Sequence, residues 1–171
     1  MKITSIFLFL AASAAVAAPV SSENDPSSNL IDRNSHGLFA RKDEYPYIGR
    51  CNGHDGIDEW NFLRCSCTSY VAWRLNKAYK DLDFNNWYKG VRWGNAYNWD
   101  NTAKQVRVKV NKKPKVGAVA QTDKGPGHVA YVTYVSKDKK KISVEEYNYE
   151  HENRYGKRTG LDASQFKYIH L

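Results

Sequence analysis

Apolar residues recur along this chain in two different rhythms. From Thr68 to about Ala78, Tyr70, Val71, Trp73 and Leu75 with Ala72 and Ala78 form a broad stripe free of Gly and Pro. That spacing predicts a helix. A weaker helical pattern runs from Trp93 to Val106. Beyond Pro114 the rhythm becomes that of strands. Val116-Gly117-Ala118-Val119-Ala120 reads as a short buried strand. His128–Val135 (HVAYVTYV) and Ile142–Tyr149 (ISVEEYNY) alternate and are rich in β-branched and aromatic residues. The polar SKDKKK between them predicts an antiparallel hairpin. Phe166–His170 adds a last strand. Helices first and strands afterwards indicate an α+β fold.

The N-terminal part has a different character. Lys2, the apolar run Ile3–Leu10 and the small residues of Ala15-Val16-Ala17 read as a secretory signal over residues 1–17. The apolar run is too short for a membrane span, and no later segment approaches about 20 apolar residues. A secreted, extracellular protein without a membrane partner is therefore expected. Residues 18–42 are rich in Ser, Asn, Asp and Pro and read as a flexible leader or propeptide. Aromatic residues become frequent from Tyr45 onward, which places a single folded domain at residues 43–171.

Charge alters this picture little. The chain carries +8, and loss of residues 1–17 removes only Lys2, leaving +7. Such a balance suits anionic polymers in general. No phosphate-binding loop, dinucleotide fingerprint or RNA-recognition motif is present, so no nucleic-acid partner is expected.

The three cysteines carry more information. Cys65 and Cys67, separated by one residue, cannot easily bond to each other, because the ring would be strained. In a secreted chain Cys51 is expected to pair with one of them. Closing the loop between 51 and 65 is worth about 3 kcal/mol in the chain-entropy account. Cys67 stands immediately before the predicted helix, where free backbone N–H groups and the positive end of the macrodipole stabilise a thiolate. The expected assignment is a Cys51–Cys65 disulfide and a chemically active Cys67. The competing set, Cys51, His54, Cys65 and Cys67 as zinc ligands, lacks a common structural-zinc spacing, so no metal is expected.

A nucleophilic thiol needs a base, and the base needs an orienter. Of five histidines, His36 lies in the leader, His54 and His151 in polar loops and His170 at the C-terminal edge. His128 opens the alternating strand directly after Gly-Pro-Gly. Equal parity places His128, Ala130, Val132 and Tyr134 on one face, and Ile142, Val144, Glu146 and Asn148 together on the partner strand. Pairing 128 opposite 146, or 128 opposite 148, brings Glu146 or Asn148 beside the imidazole. Glu145 faces the other way, and Glu145→Gln is expected to matter little.

These segments resemble the CHAP domain (cysteine, histidine-dependent amidohydrolase/peptidase), a branch of the papain-like NlpC/P60 superfamily. CTSYVAWRLN at Cys67–Asn76 resembles its nucleophile motif, and WGNAYNW at Trp93–Trp99 its middle motif. KPKVGAVA at Lys113–Ala120 precedes GHVAYV at Gly127–Val132, which resembles its histidine motif. VEEYNY at Val144–Tyr149 and FKYIHL at Phe166–Leu171 are similar to its acidic motif and terminal strand. The blocks follow the family order over about residues 45–171; Cys65 departs from it.

The resemblance implies a papain-like fold, N-terminal helices packed on a small antiparallel sheet. It also implies Cys67 as nucleophile, His128 as base, Glu146 as its orienter and Asn148 as a supporting polar residue, with no cofactor. The implied activity is hydrolysis of amide or peptide bonds in bacterial peptidoglycan, by an N-acetylmuramoyl-L-alanine amidase or an endopeptidase. Stem peptides would be the substrate, and anionic wall polymers would be attracted by charge. A non-catalytic wall-binding module and a secreted basic ribonuclease are the alternatives. Neither requires the Cys67 thiol.

Overall fold

In the computed structural model, residues 44–48, 50–51 and 56–171 are described. The expected signal, the leader, the domain boundary near 43 and His54 lie outside them. Helix α1 covers Cys67–Ala78 and α2 covers Trp99–Gln105. The strands are β1 (Lys109–Asn111), β2 (Val119–Thr122), β3 (His128–Val135), β4 (Lys141–Tyr147), β5 (Tyr155–Asp162) and β6 (Lys167–His170). They form one antiparallel sheet in the order β1-β6-β2-β3-β4-β5. This is the expected α+β architecture. Among the described residues no helix is long and apolar enough to cross a membrane.

Helix α1 packs against β3 and β4 through Tyr70, Val71 and Leu75, which meet Val129, Tyr131 and Tyr147 in one apolar cluster. Phe62, Phe84, Trp93 and Trp99 extend it, with the Phe84–Trp93 rings edge to face at 4.8 Å. On the opposite face the strand residues Ala120, Ala130, Val132, Ile142 and Val144 pack with Ala118, Phe166 and Tyr168. With both sets buried, the sheet interior loses the apolar–polar alternation of a half-exposed sheet.

Several expectations need correction. The second helix is shorter than 93–106, because Gly94 turns the chain at φ +61° and a 3-10 turn at Ala96–Asn98 precedes α2. Strand β2 begins at Val119 rather than Val116, since Gly117 at φ +88° belongs to a turn closed by Ala118 N–H donating to the Lys115 carbonyl. Strand β4 stops at Tyr147, and Asn148 follows at φ +57°.

The parity argument holds only near the site. Tyr131↔Glu145 and Val132↔Val144 keep the register that, carried further, sets 128 opposite 148. A bulge between Val132 and Tyr134 then shifts the ladder to Tyr134↔Ser143 and Val135↔Ile142. An extra residue in one strand exchanges the faces beyond it. Tyr134 is consequently exposed, and Val135 joins the Ala130 and Val132 face.

Glu145 is not an idle carboxylate. It is buried beneath α1, where Arg74 Nε donates to its Oε2 at 3.0 Å and Tyr70 Oη donates to the same oxygen at 3.4 Å. Arg74 is itself fully buried and stacks over the Tyr131 ring at 4.3 Å. A buried ion pair cannot lose one partner cheaply.

Candidate active site

Local capping sets where α1 begins. Ser66 is extended (φ −90°, ψ 164°), and its Oγ accepts from the Ser69 N–H at 3.2 Å. The Ser66 carbonyl accepts from Tyr70 N–H at 3.1 Å. Helix geometry leaves the Cys67 and Thr68 N–H groups without an intrahelical acceptor. The Cys67 thiol, the one cysteine outside a disulfide, therefore stands at the positive end of α1, partly exposed.

The bridge lies just upstream. Cys51 and Cys65 are bonded, with Cα atoms 5.8 Å apart. Cys65 itself takes φ +60°, turning the chain between bridge and helix. Tyr45 Oη accepts from Cys65 N–H at 3.2 Å and lies 2.6 Å from Ser69 Oγ, so one buried phenol ties the bridged loop to the helix start. The bond occupies two of the four residues considered above as zinc ligands.

His128 opens β3, and its approach requires Gly127. That residue has φ +78°, and a Cβ there would stand 2.4 Å from the Tyr97 backbone nitrogen. The His128 Nε2 lies 2.8 Å from Glu146 Oε2. With Nε2 so committed, Nδ1 is the ring nitrogen left for the Cys67 thiol. Burial pulls the ring's pKa down, but hydrogen bonding and charge from Cys67 and Glu146 outweigh it and carry it up to about 9. For Glu146 burial pushes the carboxyl up, while His128 and Arg158 outweigh it and hold the group below its usual range. Both partners thus favour the charged pair.

Cys67, His128 and Asn148 line one open cleft of about 430 Å³. Asn61, Phe62 and Leu63 form one wall, and Arg92, Gly94 and Asn95 another. The Asn148 Oδ1 accepts from Asn153 N–H at 2.9 Å, so this side chain also ties down the β4–β5 loop. Among the described residues the other histidines lie elsewhere: His151 is exposed, and His170 Nε2 lies 3.1 Å from Asn111 Oδ1.

Sequence reasoning missed Arg158 on β5. Its Nε donates to Glu146 Oε1 at 2.5 Å and its Nη2 to Oε2 at 2.7 Å. Tyr149 was also missed; its ring packs on His128 with centroids 4.4 Å apart. The signal was slight, since YGKRTGLD has two glycines and no apolar alternation.

A thiol at a helix start, lining one cleft with a strand-borne imidazole backed by a carboxylate, can now be set beside known proteins. The CHAP domain matches residues 57–148, more than half of the chain. The chain belongs to the CHAP domain family. "Probable autolysin LDP" of Staphylococcus aureus is 45% identical over 106 residues, covering 61% of this chain and 35% of that protein. "Staphylococcal secretory antigen SsaA" of Staphylococcus epidermidis is 42% identical over 85 residues, covering 47% and 33%. The crystal structure of an N-acetylmuramoyl-L-alanine amidase from Staphylococcus aureus superposes with TM-score 0.51 and 26% identity, covering 68% of this chain and 33% of that one. The chain thus spans about a third of the length of these relatives.

Proposed function

We propose that this CHAP protein is a secreted cysteine hydrolase of bacterial peptidoglycan, cutting amide or peptide bonds of the stem peptides. The observation that carries the reading is that His128, whose Nε2 lies 2.8 Å from Glu146 Oε2, lines one open cleft with the Cys67 thiol at the start of α1. The named autolysin and amidase relatives support the substrate class.

In this mechanism the Cys67 thiolate attacks the substrate carbonyl carbon. The Cys67 and Thr68 N–H groups face the developing oxyanion. His128, holding the thiol proton, returns it to the leaving amine as the carbon–nitrogen bond breaks. The acyl–thioester is then hydrolysed by water, with His128 taking the water's proton. Glu146 keeps the ring in the tautomer this cycle needs and stabilises its charged form. Asn148 supports the site from the β4 end. The positive net charge, +8 for the full chain and +7 without residues 1–17, favours encounter with anionic wall polymers.

Purified cell walls test the reading. Cys67→Ser and His128→Ala are each expected to abolish wall solubilisation while retaining the wild-type circular dichroism spectrum. Mass spectrometry of the wild-type digest distinguishes a freed muramoyl lactyl group (amidase) from a cut within the stem or bridge (endopeptidase). Undiminished turnover by folded Cys67→Ser protein would overturn the mechanism.

A further inference from the structure

Behind the imidazole lies a closed circuit of four side chains. Glu146 bonds His128 on one side and takes both prongs of the Arg158 guanidinium on the other. That guanidinium also lies over the Tyr149 ring, 3.9 Å from its centroid, and Tyr149 packs on His128. Gly156 is the partner of Glu146 across the β4–β5 ladder, and a Cβ there would lie in van der Waals contact, 3.4 Å from Glu146 Cγ. Arg158, two residues along and opposite Val144, reaches the carboxylate over that bare position.

The physics of the pair is specific. Glu146 is fully buried, and a single bond from His128 would leave its carboxylate free to rotate. A bidentate guanidinium fixes both oxygens in one plane, which an ammonium cannot do. Tyr149, held by Arg158, covers the face of a ring whose two nitrogens are turned to Glu146 and Cys67.

We infer that Arg158 is a positioning residue of this site, acting through Glu146 and Tyr149 to hold the His128 imidazole in the plane that presents its free nitrogen to Cys67. The inference rests on the proposed cysteine chemistry. The groups that face the ring are Cys67 from α1, Glu146 from β4, Tyr149 from the loop after β4 and, behind the carboxylate, Arg158 from β5; Glu150 acts in turn on Arg158.

The test is the rate of Cys67 alkylation by iodoacetamide against pH in the full chain, beside wall turnover, for wild type, Arg158→Met and Arg158→Lys. Alkylation needs no wall substrate, so it separates the two claims. In Arg158→Met, Glu146 no longer shares its charge with a cation, and the imidazolium persists to higher pH. The alkaline limb of the profile should rise by about one pH unit. Loss of ring alignment should lower kcat on the order of 10²-fold with KM little changed. Arg158→Lys keeps the charge and loses the fork, so its limb should stay in place while kcat falls. If Arg158→Met does not fold, Arg158→Lys decides alone: unchanged kcat overturns the inference. A lowered Tm with wild-type profile and kcat in either variant also overturns it, since the residue would then be structural only. A wild-type profile with no second limb would instead remove the thiol–imidazole reading itself, and the inference with it.

Discussion

Glu145 and Glu146 are neighbours in sequence, yet the structure assigns them opposite consequences. Glu145→Gln removes the carboxylate that faces Arg74, whose side chain is 0% exposed. The carboxylate's own side chain is 9% exposed and stands 3.0 Å from Arg74 Nη2. Leaving a buried guanidinium without its anion costs about 3–5 kcal/mol. Glutamine still accepts a hydrogen bond, so the lower end, about 3 kcal/mol, is expected. At about 4 °C per kcal/mol for a domain of this size, Tm should fall by roughly 12 °C. Turnover per folded molecule, measured well below Tm, should stay near wild type, because Glu145 lies on the α1 face and not in the cleft. Glu146→Gln should behave in the opposite sense. A neutral partner neither stabilises imidazolium nor selects its tautomer, which in a comparable triad lowers kcat on the order of 10⁴-fold. Thermal unfolding by circular dichroism and wall turnover on the same preparations separate the two. Replacing Arg74 and Glu145 together by Met should recover much of the lost stability, since the buried charge goes with its partner. A Glu145→Gln protein that melts with wild type but turns over slowly would refute the assignment of faces.

Other outcomes follow from the same geometry. Cys51→Ser should lower stability by about 2–5 kcal/mol while chemistry persists below the reduced Tm; peptide mapping without reduction should find Cys67 as the only alkylated thiol in wild type. His128, raised from 6.5 to about 9 in the fold, keeps a proton that the unfolded chain has released. Its contribution, on the order of 3 kcal/mol, is complete below pH 6.5 and lost as pH rises through 9. Tm measured from pH 6 to 10 should fall in wild type and lose that slope in His128→Ala; parallel curves would refute the pairing. Gly127→Ala should destabilise by at least about 1 kcal/mol and slow turnover, because the position is left-handed and its Cβ meets the Tyr97 backbone.

What the sequence revealed, and what it hid, divides along the sheet. Strands β3, β4 and β6 were legible because their residues are β-branched and aromatic and lie inside the sheet. Strands β1 and β5 were missed, and both are edges. An edge strand buries little and carries charge to discourage further pairing, so it writes almost no apolar pattern. The parity argument survived at His128 because only two regular residues, Val129 and Ala130, separate it from Tyr131, the first residue in register. It failed at Tyr134 because a bulge leaves no mark in an alternating sequence. The position of Cys67 at the start of α1 was readable for another reason: the apolar stripe of Tyr70, Val71, Trp73 and Leu75 opens just after it.

Arg158 falls on the illegible side of this division, and the reason is physical. Cys67 and His128 stand at the first positions of α1 and β3, elements whose packed interiors aim them into the cleft. The group that steadies their carboxylate must carry a charge and keep it partly solvated; Arg158's side chain is 13% exposed. An edge strand offers that compromise, at the cost of any periodic signature. The same edge sets Gly156 directly opposite Glu146 in the ladder. A carboxylate buried in the sheet and a cation held at its rim are therefore one device, with half of it written in a pattern that hydrophobic periodicity cannot detect.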